Sequence, residues 1–144
     1  MKHTYILEEG IWRASGQYWD ENQNCINVQG KTEITHNKSN WILDGYMELQ
    51  LDNPIKFFNK YTIEPVKPER DYTFWTSENP ALGTLIGSFM IINDTILSKY
   101  QSEDGQYSGV ESLIITNSNF YKNRGFAFHN KQKLSSWAIE LHRE

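Results

Sequence analysis

Apolar and polar residues alternate with a period of two along most of the chain, in runs separated by clusters of turn-forming residues. The first run opens at Gly10-Ile11-Trp12 and ends at Trp19, and Asp20 to Asn24 follow as a turn. Between Cys25 and His36, Ile26, Val28, Gly30, Thr32 and Ile34 share one parity, while Asn27, Gln29, Lys31 and Glu33 hold the other. That is the pattern of a strand with one buried and one wet face. Trp41, Leu43, Gly45, Met47 and Leu49 alternate with Asp44, Glu48 and Gln50, and Ile55, Phe57, Asn59, Tyr61 and Ile63 with Lys56, Lys60 and Glu64. Further runs cover 71–77, 83–93, 95–102, 106–116, 119–129 and 133–143. In 83–93 the apolar residues fall on both parities, so the pattern leaves the inward face of that strand open. Phe120, Phe126 and Phe128 share a parity with Lys122 and Arg124, and burying three rings predicts that this face points inward.

These runs predict about ten strands joined by hairpins, with all four prolines in the connections. Leu7–Arg13 and Pro80–Leu85 offer at most a helical turn each. A meander of this length avoids open edges by closing on itself, and at roughly eight strands or more its interior can hold a small ligand. The expected fold is therefore all-β: a closed up-and-down antiparallel barrel in meander order, forming one domain over residues 1–144.

Composition narrows the classes of function. Hydrophobic residues make up only 38% of the 144, yet aromatics reach 14%, which suits one-sided strands better than disorder. The net charge of −4, without any basic stripe, argues against nucleic acid and against an anionic membrane surface as partners. A single cysteine, Cys25, and a leader too short in apolar residues for a signal peptide point to the cytoplasm.

Gly10-Ile11-Trp12 at the start of the first strand, followed only by hairpins, resembles the calycin superfamily of lipocalin-like and fatty-acid-binding-like barrels. The architectural likeness spans residues 10 to 143. It implies that Trp12 plugs one end of the barrel, that Arg124 or Arg143 packs across its ring, and that the interior binds a small molecule. The Thr-Asp-Tyr signature, the disulfides and the Arg-x-Tyr carboxylate clamp of these families are missing. Nitrobindin-like barrels, which this chain resembles in strand number, hold haem through a histidine of a late strand, and His142 is the nearest counterpart.

No complete catalytic constellation is present, and His3, His36, His129 and His142 show no metal-ligand spacing. Neither metal nor cofactor is expected, with haem on His142 as a lesser alternative. Glu111 shares parity with Tyr107, Gly109, Leu113 and Ile115; if that face is interior, it is a buried acid with a raised pKa. Trp12, Trp41, Trp75, Trp137, Tyr61 and Tyr100 either pack the barrel shut or line a cavity. The expected ligand set is Trp12, Tyr61, Trp75, Tyr100, Glu111, Arg124 and Trp137, binding a partly apolar and possibly acidic molecule through Arg124. An enzyme using Glu111, Tyr100 and Arg124, or a homodimeric interaction module with a filled barrel, are the alternatives.

Overall fold

The computed structural model describes residues 2–144. Alternation becomes strand at every predicted run: β1 (Gly10–Trp19), β2 (Cys25–His36), β3 (Trp41–Leu49), β4 (Ile55–Ile63), β5 (Tyr72–Asn79), β6 (Gly83–Ile92), β7 (Thr95–Ser102), β8 (Tyr107–Asn117), β9 (Phe120–His129) and β10 (Gln132–Arg143). All pair antiparallel in sequence order, and β1 closes on β10 through Trp12↔Arg143 to Trp19↔Ser136. The result is the expected closed ten-stranded barrel. No helix forms among the described residues, and Pro80 to Leu82 make a simple turn. None is therefore long and apolar enough to cross a membrane.

Parity sets what lies inside. Val28 and Ile34 on β2, Leu43 and Leu49 on β3, and Ile63 on β4 are buried, as their alternation predicts. On β6 the inward residues are Leu85 and Phe89, while Ile86, Met90 and Ile92 are exposed. On β9 the expectation is reversed: Tyr121, Asn123 and Ala127 are buried, while Lys122, Arg124 and Phe126 face outward. Space decides this. A Cβ at Gly125 would overlap the Trp137 indole, so the inward parity of β9 is the one whose smallest residue lets the neighbouring ring lie flat. The displaced rings join Phe74, Ile86, Met90, Ile92 and Ile114 in an apolar outer band over β5 to β9.

One end of the barrel is stopped. His3, Thr4, Tyr5 and Ile6 are buried there, beneath Trp12 and Tyr121, both fully enclosed. Tyr5 and Tyr121 meet Trp12 edge-on at centroid distances of 5.3 and 5.5 Å. The Asn93 carbonyl accepts from His3 Nε2 at 2.7 Å, which leaves Nδ1 to accept from the Tyr121 hydroxyl at 2.9 Å. That hydroxyl in turn accepts from the backbone N–H of Thr4 (3.0 Å) and Tyr5 (3.3 Å). Arg143, not Arg124, lies over Trp12, 6.0 Å from the ring, and donates to Glu8 Oε1 and to the Glu9 carbonyl. The other end is open. There β4 and β5 part, pairing only at Thr62↔Thr76 and Ile63↔Trp75.

Candidate functional site

Between the stopper and the open end lies a cavity of about 490 Å³. Every strand of the ring contributes to it: Tyr18, Val28, Met47 and Leu49 from β1–β3, Phe57, Asn59 and Tyr61 from β4, Asn79 from β5, Leu85 from β6, Ser98 and Tyr100 from β7, Glu111 from β8, Asn123 and Ala127 from β9, and Trp137 and Ile139 from β10. Asp20 and Glu21 stand at the mouth with Ala81 and Leu82. A smaller depression of about 320 Å³ lies on the outer face of β2–β4, over Lys31, Asp44 and Phe58.

Glu111 is the polar centre of the cavity. It pairs with Gly125, which also pairs with Trp137, so three strands bring acid, gap and indole into one row. The Trp137 ring lies over the gap, and its Nε1 donates to Glu111 Oε2 at 3.1 Å. Glu111 keeps some accessible surface because it faces the cavity, while the barrel wall surrounds it. Burial pushes its pKa up, and the side chains of Asn123 and Trp137 offset part of the shift. Among the described residues no lysine, arginine or histidine lines the cavity. Burial, reinforced by the nearby Glu111 charge, pushes the Tyr100 hydroxyl up to about 12 and raises that of Tyr61 as well. Both phenols therefore stay protonated at neutral pH and can donate.

Of the seven expected ligand residues, Tyr61, Tyr100, Glu111 and Trp137 come together in the cavity. The other three do not. Trp12 belongs to the stopper, in edge contact with Tyr5 and Tyr121, and does not line the cavity. Trp75 stands behind Tyr61, stacked on it at 4.0 Å, and supports the wall without lining it. Arg124 is exposed on the outer face, where its guanidinium donates to the Asn123 carbonyl at 2.9 Å. It can neither grip an acidic ligand inside the barrel nor complete a catalytic set with Glu111 and Tyr100. An acid and two phenols remain, without a nucleophile beside a base.

Haem held by histidine does not fit this cavity. His142 is exposed beside Phe120 and Glu140, His3 is buried in the stopper, His36 stacks on Trp41, and His129 stacks on Tyr107. No group of three or more potential metal ligands gathers among the described residues. The sequence reading overlooked Asn123, Asn59, Ser98, Met47 and Leu85 as cavity residues. Each sits on the inward parity of its strand, so the signal was parity, masked on β9 by the choice of the wrong face.

A closed ten-stranded meander with one end stopped and a ligand-sized interior has the lipocalin-like barrel fold. Solved structures share it, among them the following two. The S-type phycobiliprotein lyase CpeS from Guillardia theta matches with a TM-score of 0.69 and 10% identity, over 94% of this chain and 87% of that one. Rv2717c from M. tuberculosis matches with a TM-score of 0.69 and 14% identity, over 96% and 93% of the two chains. No protein-family profile and no curated protein sequence matches the chain.

Proposed function

We propose that the protein binds a small, partly apolar molecule inside the barrel and does not transform it. The observation that carries this reading is the cavity itself, about 490 Å³ with mostly apolar walls and a few convergent polar groups around Glu111. Ligand sites have this composition: apolar area supplies affinity, and placed donors and acceptors fix orientation. Occurrence of the same fold in a phycobiliprotein lyase supports a small-molecule role. The lone exposed Cys25 suits a reducing compartment such as the cytoplasm.

Displacement of a neutral fluorescent dye by a panel of apolar molecules, bilins and haem among them, tests the reading. The dye should brighten on binding, and Ala127→Trp, which places an indole in the cavity, should suppress that signal while the fold persists by circular dichroism. A parent protein that takes up no dye, or a filled variant that binds as well as the parent, removes the proposal. Self-association is a second reading, favoured by the exposed apolar band over β5 to β9.

A further inference from the structure

The charge of the cavity narrows the ligand beyond its apolar body. Lysine, arginine and histidine are all missing from the described cavity lining, whereas Glu111 lies inside it and Asp20 and Glu21 flank its mouth. The remaining polar groups from every side are neutral, among them Asn59 and Tyr61 on β4, Tyr100 on β7, Asn123 on β9 and the Trp137 indole on β10. Tyr100 and Trp137 are packed against the backbone of Gly109 and Gly125, which fixes both rings around the acid.

We infer that the barrel's ligand carries a basic nitrogen on an apolar or aromatic body, and that this nitrogen pairs with the Glu111 carboxylate. This deepens the binding reading of the same cavity and rests on it. A buried carboxylate without a cation is costly, and the fold supplies it only with neutral donors, the Trp137 N–H and the Asn123 side chain. An ammonium group entering the cavity supplies the missing counter-charge and turns that cost into a charge-assisted hydrogen bond. A ligand carboxylate would meet the reverse situation, with like charge at Glu111 and two further acids to pass at the mouth. The aromatic walls suit the same choice, since Tyr61, Tyr100 and Trp137 present rings whose faces attract a cation. The inference thus replaces an acidic ligand, expected from an inward Arg124, with one of opposite sign.

Three probes sharing one naphthylalkyl body and ending in a primary amine, a hydroxyl or a carboxylate separate the possibilities when they compete with a neutral dye at neutral pH. The amine should bind about tenfold tighter than the alcohol, and the carboxylate weakest of the three. In Glu111→Gln the advantage of the amine should shrink to about twofold while the alcohol keeps its affinity. The Asp20→Asn, Glu21→Gln double variant should keep most of the preference, which would locate it at Glu111 and not at the mouth. A carboxylate binding as tightly as the amine, or a preference that survives Glu111→Gln, overturns the inference. If the dye and the alcohol bind but charge makes no difference, the nitrogen is wrong and the cavity reading stands; if neither binds, the cavity reading itself falls.

Discussion

Glu111 holds its proton more tightly in the folded chain than in the unfolded one, because burial dominates its environment. Linkage fixes the sign. In the pH interval between its ordinary value of 4.5 and its raised folded value, the native state binds more protons than the unfolded state, so this group makes stability fall as pH rises. Below that interval the contribution is flat, and above it the loss is complete. Glu111→Gln removes the titration and keeps the shape. Its melting temperature relative to the parent should therefore climb as pH rises above 4.5 and level off once pH passes the raised folded value. A difference that stays constant over that range would mean that Glu111 ionises as it would in water. Placing Glu111 in the interior was within reach of sequence because its own strand carries Gly109, Leu113 and Ile115 on the same parity. Arg124 was not, because the three phenylalanines of β9 outweigh its inward face when that strand is read alone. The deciding fact is the Trp137 ring of the neighbouring strand, which occupies the space and admits only glycine opposite it.

At the level of elements, the ten strands were legible because each is a local alternation bounded by turn formers. The stopper was not. Residues 3–6 look like a polar leader, and their partners on β9 and in the β6–β7 turn lie some ninety to 118 positions away. Packing between elements that distant leaves no periodic trace in the leader itself. Tyr121 joins the two: its one hydroxyl serves His3, Thr4 and Tyr5. Tyr121→Phe would leave two buried backbone N–H groups and the His3 ring without this partner, at a cost of about 1–3 kcal/mol. Chemical denaturation should show that loss, while dye affinity stays at the parental level because Tyr121 does not line the cavity. A parallel loss of dye binding would mean that the stopper shapes the site as well as closing the end.

Seen whole, the barrel is apolar on both of its faces along β5 to β9. The inner face is spent on the core, but Phe74, Ile86, Met90, Ile92, Ile114 and Phe126 are exposed, with Lys99 and Arg124 among them. Soluble monomers seldom leave so many large apolar residues together in water. Pairing of two copies through this band would cover it on both at once. Light scattering at micromolar concentration should then give the mass of a dimer, and the Ile86→Lys, Phe126→Lys double variant that of a monomer with unchanged dye affinity. A monomeric mass for the parent would set self-association aside.

The join between β4 and β5 is the shortest seam of the barrel. Along most of the circumference, widening the wall means breaking a run of inter-strand hydrogen bonds, but from Ile55 to Tyr61 no strand is paired to β4 on that side. Phe57 and Tyr61 border that stretch from β4, with Leu82 in the turn that follows β5, and all three also line the cavity. Swinging side chains costs far less than melting a ladder and takes place in picoseconds to nanoseconds. An opening at this seam would leave the stopper and the other nine seams paired, so exchange with the interior and thermal robustness are set by different parts of the wall.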